Sequence, residues 1–159
     1  MDYDSILQCC DNAVRDIQVS LPLPYLLQWY ARSLSKLGHH DEAERVLGKA
    51  LAGSRGGPRW FEAELHRTQG ELALLRDPNS IKFAERNYRD SKELAHQQSA
   101  RSLELRATTS LARLLRDTGR REEACAMLAE IYNWFTEGFD TADLKEAKAL
   151  LDELTALNT

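Results

Sequence analysis

The side chains able to do chemistry are scattered, and their spacing argues against catalysis. His39-His40-Asp41-Glu42 is a run of metal-ligand types. Adjacent histidines in a turn point apart, and no second Cys or His cluster lies nearby in sequence. The run therefore reads as a polar turn, not a metal site. His66 and His96 fall within helical patterns and read as ordinary surface or core groups. Cys9, Cys10 and Cys125 lie in helical stretches without a recognisable histidine partner, so packing is their expected role. Gly56-Gly57 runs into Pro58-Arg59 and lacks the lysine that grips phosphate in a GxxxxGK[ST] loop. Trp29, Trp60, Trp134, Phe135 and Phe139 sit at helical spacing, which favours core packing over an aromatic ligand pocket. The segment from Trp134 to Phe139 is expected to wedge the last helix onto the rest. No catalytic residue, metal or cofactor is expected.

The elements that must position these residues are helices. Leu and Ala supply 44 of the 159 residues, against 7 for Val and Ile, a balance that favours helix over strand. The net charge of -4 argues against a general nucleic-acid binder. No apolar run approaches the length of a membrane span. MDYDSILQCC has two acids and no basic region, unlike a signal peptide. Three cysteines, two adjacent, cannot build a disulfide framework, so a reducing cytoplasm is the expected compartment.

Periodicity and breakers predict eight helices, over about residues 3–19, 24–37, 41–52, 58–76, 80–97, 100–117, 121–135 and 142–157. In the fourth, Phe61, Leu65, Thr68, Leu72 and Leu75 form one stripe. Ser99 is the expected N-cap of the sixth. The last helix carries one strongly polar face, as a terminal cap requires.

The chain repeats itself. A shift of 81 residues lays Tyr30-Ala31-Arg32-Ser33-Leu34 over Leu111-Ala112-Arg113-Leu114-Leu115. The same shift pairs Gly38 with Gly119, Ala43 with Ala124 and Leu47 with Leu128. A degenerate copy lies midway, with Ala84 and Tyr88 at the last two positions. Each unit of about 40 residues is a helix pair. Small residues let the paired helices approach, and Gly38 and Gly119 permit the tight turns. A single pair cannot bury both its apolar faces, so the pairs stack.

This spacing resembles the tetratricopeptide repeat. Copy one offers Tyr30-Ala31, Leu34, Gly38, Ala43, Leu47 and Ala50-Leu51; copy three offers Leu111-Ala112, Leu115, Gly119, Ala124 and Leu128. The middle copy departs, with Gln69-Gly70 at the small pair and a longer turn at Asp77-Pro78-Asn79-Ser80. Longer stretches, residues 63–72, 100–107 and Trp134 to Leu144, resemble the C-terminal repeat region of bacterial signalling proteins that carry an adenylate/guanylate cyclase or DNA-binding domain and a predicted ATPase. The sequence departs from that group at Gln97-Gln98, where a glycine is usual; a left-handed Gln there would cost roughly 1 kcal/mol. No strand-flanked carboxylate pair marks a cyclase site. Met1 falls in what looks like the second helix of an earlier repeat, which favours a truncated chain. The expected fold is an all-α, tetratricopeptide-like superhelix in one domain, with a leading helix at 1–23, repeats at 24–57, 58–99 and 100–137, and a capping helix at 138–159.

The resemblance implies a groove lined by first-helix residues. These are Tyr25, Gln28, Arg32, Ser35 and Lys36; Glu64, Arg67, Glu71, Leu74 and Leu75; and Arg106, Thr109, Arg113, Arg116 and Asp117. Six are basic and three acidic, so the groove is expected to be basic and to hold an acidic peptide of a protein partner. The competing reading of this face is a solvated surface with internal ion pairs. Two alternatives to a peptide-binding scaffold are a small-ligand sensor with a pocket between helix pairs, and a homodimer through the apolar flank of the first helix around Tyr3, Leu7 and Val14.

Overall fold

The structure is a computed structural model that describes residues 23–54 and 61–156. It contains seven helices and no strand among the described residues: α1 Leu23–Lys36, α2 His40–Ser54, α3 Glu62–Arg76, α4 Ile81–Gln97, α5 Arg101–Asp117, α6 Arg121–Tyr132 and α7 Ala142–Ala156. The expected helix at 3–19, its dimer flank, Cys9, Cys10 and Trp60 lie outside the described residues.

Consecutive helices pack as antiparallel hairpins, and first helices also touch across the stack: α1 on α3, α3 on α5, α5 on α7. The inner layer is therefore α1-α3-α5-α7, with α2, α4 and α6 outside. This is an all-α, tetratricopeptide-like solenoid.

Small residues set the spacing. Ala31 and Ala112 on first helices, and Ala43, Ala84 and Ala124 on second helices, are fully buried. Leu47 and Leu128 fill the space beside them in the outer pairs. The middle pair solves the same problem differently. Tyr88 replaces the leucine, and Gly70 takes the small position opposite it. A Cβ on Gly70 would lie 2.6 Å from Tyr88 Cε1 and 3.0 Å from Cδ1, so the buried ring would have to shift. The departure from the repeat pattern is thus a compensated exchange of volume.

The turns also share one geometry. Gly38 and Gly119 have φ of 86° and 81°. Each donates its N–H to a carbonyl three residues back, and the next residue bonds five back: His39 to Leu34 at 2.9 Å and Arg120 to Leu115 at 2.7 Å. This paired closure satisfies the last carbonyls of a helix. Ser99 adopts the same form, with φ 56°, its N–H on His96 and that of Ala100 on Ala95. Ser99 is thus no N-cap of α5. That place falls to Ala100, which makes no side-chain cap bond. The left-handed residue is Ser99, one past Gln98, whose φ is -82°.

Two further expectations change. Leu75 does not join the buried stripe of α3 and is 60% exposed, although Arg76 beside it still reaches Asp41 and Glu44 of α2. Helix α6 ends at Tyr132, three residues early. Its last buried side chain is Ile131, and the N–H groups of Trp134 and Phe135 turn to carbonyls three residues back. Phe135 packs partly against the core, but Trp134 is 56% exposed and Phe139 is 46% exposed, so they do not wedge α7. Leu144, Ala147, Leu150 and Leu154 seat that helix instead.

Polar ties add to the packing. Within the middle pair buried Ser91 donates to the Ala63 carbonyl at 2.6 Å, and between repeats Gln28 Nε2 donates to Thr68 Oγ1 at 2.7 Å. On the outer edge Arg120 and Arg89 bridge Glu85 and Glu123 between α4 and α6. The hydrogen bond from Arg89 leads in holding the Glu85 carboxyl below its ordinary range.

Gly70→Ala should lower stability by roughly 1–2 kcal/mol in urea unfolding, overpacking outweighing the helix propensity gained. Adding Tyr88→Leu should restore most of that loss. Ser99→Gly should raise stability by about 0.5–1 kcal/mol, because glycine removes the left-handed penalty at a higher unfolded-state entropy.

Candidate functional site

The inner layer encloses a concave groove of about 360 Å³. Tyr25 and Trp29 of α1, with Phe61, form its aromatic end. Tyr25 meets Phe61 edge-on at 5.0 Å and Trp29 at 6.2 Å between ring centroids. Gln28, Arg67, Thr109 and Ser110 make the floor. Arg106 and Arg113 of α5 face Asp143 and Glu146 of α7 at the far end.

Arg67 is the centre of the floor. Helical spacing of three and four residues puts Glu64 and Glu71 on its face. Its Nε and Nη2 donate to Glu64 at 2.9 and 2.5 Å, its Nη1 donates to Glu71, and Ser110 Oγ lies 3.4 Å from Nη1. Burial works against this charge, but the hydrogen bond and charge of Glu64, then Glu71, outweigh it and hold the guanidinium above its ordinary range. Glu71 also reaches Arg32 at 3.8 Å, and the Arg32 guanidinium lies 5.8 Å from the Trp29 ring centroid.

The groove thus gathers Tyr25, Gln28, Arg32, Arg67, Arg106, Thr109 and Arg113 in one place. Not all of them are available. Gln28 and Thr109 are buried and bonded, to Thr68 and to the Leu105 carbonyl. Arg106 pairs with Asp143 at 2.7 Å and Arg113 with Glu146 at 3.0 Å. Arg116 lies outside the groove lining and pairs with Asp117 and Glu153, both at 2.8 Å. Four arginines in the lining face four carboxylates, Glu64, Glu71, Asp143 and Glu146, so the charges within the groove balance. The two α7 carboxylates were missed in the sequence because that helix was read as a cap with a solvated face. Extending the first-helix register into it would have found them. Trp29, expected in the core, is instead 54% exposed and lines the groove beside buried Phe61 and Ser110.

Lys36 stands apart. It borders an adjoining depression of about 370 Å³, lined by Arg32, Glu71, Leu72, Leu74, Leu75 and Tyr88. Lys36 is exposed, and none of the ion pairs among the described residues includes it. The depression shares Arg32 and Glu71 with the groove, so the two form one continuous surface.

The family model of the tetratricopeptide repeat matches residues 25–49 and 105–130. These segments cover α1 with most of α2, and most of α5 with α6. The chain carries a tetratricopeptide-like repeat region. The pair with the Gly70–Tyr88 exchange and the Pro78 turn lies between the two matched segments, and the fold continues through it. No curated protein and no solved structure matches the chain. Tetratricopeptide repeats generally mediate protein–protein interaction. Among the described residues no group of three or more His, Cys, Asp or Glu is placed to hold a metal ion, and no helix is long and apolar enough to cross a membrane. At the His39–Glu42 run, His40 Nδ1 meets Ser35 Oγ at 3.1 Å, while His39 lies 3.8 Å from Glu42.

Removing Arg67 strands a buried carboxylate. Arg67→Met should therefore cost about 3–5 kcal/mol in chemical unfolding, with Glu64→Gln recovering part of it. Arg113→Glu should cost only about 0.3–1 kcal/mol, because its pair with Glu146 is half-exposed.

Proposed function

We propose that this chain is a non-catalytic interaction module whose inner surface holds an extended segment of a partner protein. The observation that carries this reading is the joined groove and depression, where an apolar floor of Leu72, Leu74 and Leu75 meets Lys36 and Arg32 at its rim. Such a surface suits a peptide that presents an apolar side chain beside a carboxylate. The acid-binding end is therefore the Lys36 end. The third-repeat arginines contribute by holding α7, since Asp143, Glu146 and Glu153 already neutralise them.

We infer further that the module works in the cytoplasm as the repeat region of a bacterial cyclase- or ATPase-type signalling protein. What supports this setting is the resemblance carried by residues 63–72, 100–107 and 134–144. A cyclase or ATPase encoded in the same reading frame would be the expected genetic context, and a repeat protein encoded with neither would count against it.

A labelled peptide of alternating leucine and glutamate should bind saturably. Lys36→Glu combined with Leu75→Asp should weaken it by about tenfold or more, as loss of a charge pair and an apolar contact requires. A leucine–lysine peptide should not bind at this surface. Equal affinity of the glutamate peptide for wild type and variant would refute the reading.

A further inference from the structure

The segment around Trp134 is not absorbed by either the core or the inner groove. We infer that the cleft beside Trp134 is a second docking site, which takes a lysine or arginine side chain from a basic segment of a partner protein. The cleft has a volume of about 340 Å³ and lies where the C-terminal end of α4, the first turn of α5 and the end of α6 meet. Its apolar part is Met127 and Ile131, with Trp134 as the wall.

Three observations point to a cation. First, the indole is held in place before any partner arrives. Buried Glu104 accepts from Arg101 at 2.7 Å and lies 3.0 Å from His96 Nδ1, and the Arg101 guanidinium sits 5.3 Å from the indole centroid. Phe135 meets the same indole edge-on at 5.2 Å. An exposed aromatic already ordered this way loses little freedom on binding, which is the property of an interface anchor. Second, that ring already receives one guanidinium, the class of group its π-face attracts. Third, the remaining carboxylates in the lining lack cationic partners. Glu93 accepts only from the Gln97 amide, and Glu130 forms no ion pair among the described residues. Lys92 is the opposing charge, while Arg101 and Glu104 cancel. The aliphatic stem of a lysine or arginine fits along Met127 and Ile131, and its charged head reaches Glu93 and Glu130.

The charge preference is opposite to that proposed for the inner surface, so the two sites are separable. The full chain is titrated at physiological salt with a short labelled peptide of alternating lysine and serine, and with its glutamate–serine counterpart, by fluorescence anisotropy. The lysine peptide should bind saturably, and the glutamate peptide should not compete with it for this cleft. Glu93→Gln with Glu130→Gln should weaken the lysine peptide about tenfold, and Lys92→Gln should tighten it severalfold, as rim charges at an interface do. Trp134→Ala should weaken it comparably. Glu122→Gln, an exposed acid on the same helix outside the cleft, and Lys36→Gln at the inner surface should leave it unchanged. The two Glu→Gln changes are conservative and on the surface, so they keep the test valid even if Trp134→Ala perturbs the fold. Failure of the lysine peptide to bind, or equal affinity for wild type and the double Gln variant, would overturn the inference.

Discussion

Close approach of helix backbones is the constraint on which the rest of the molecule depends. Ala31, Gly70 and Ala112 on the inner helices, with Ala43, Ala84 and Ala124 on the outer ones, leave too little side chain to hold the helices of a pair apart. That spacing lets the leucines at 47 and 128, and the tyrosine at 88, fill the space between the paired helices. Stacking then follows, because each pair still has an apolar face to cover. The concave surface is a consequence of this stacking: when α1, α3, α5 and α7 line up, their exposed faces point the same way.

The middle pair shows how strict the constraint is. A tyrosine ring needs more room than a leucine, and the helix facing it gave up its last side-chain carbon to provide it. Helix α3 is also enclosed by neighbours on both sides, so its polar residues must find partners within the protein. Glu64 and Glu71 do this for Arg67, and Gln28 for Thr68, while Ser91 of α4 donates to the Ala63 carbonyl of α3. The apolar clusters centred on α1–α2 and on α4–α7 therefore meet across a layer of hydrogen bonds at α3. Such a layer favours one relative placement of the repeats, because a slip of α1 against α3 would break the buried Gln28–Thr68 bond.

Charge on the surface is organised by the same stacking. Arginines on one inner helix meet carboxylates on the next, and the pairs neutralise the far end of the groove. Among the charges left without an ion pair among the described residues, Lys36 at the end of α1 and the acids Glu93 and Glu130 near Trp134 border clefts. These sites have opposite sign, which gives the module two chemically distinct faces.

Much of the fold was legible in the residues. Leu and Ala over Val and Ile announced helices, and the recurrence of Ala31 at Ala112 and of Ala43 at Ala84 and Ala124 announced the stack, because local propensity and small-residue spacing are written directly in sequence. That Tyr25, Gln28, Arg32, Arg67, Arg106, Thr109 and Arg113 share one concave lining was legible from the repeat register; that Lys36 and Arg116 lie outside it was not. Nor was the charge state of this face. Counting Arg32, Lys36, Arg67, Arg106, Arg113 and Arg116 implied a basic surface, but Asp143 and Glu146 arrive from a helix some 30 to 40 residues away in the chain. The burial of Gln28 and Thr109, the exposure of Trp134 and Leu75, and the left-handed turn at Ser99 were equally invisible. Periodicity reports which residues share a side of a helix; what covers that side, and which charges meet there, depends on helices brought together only when the chain stacks.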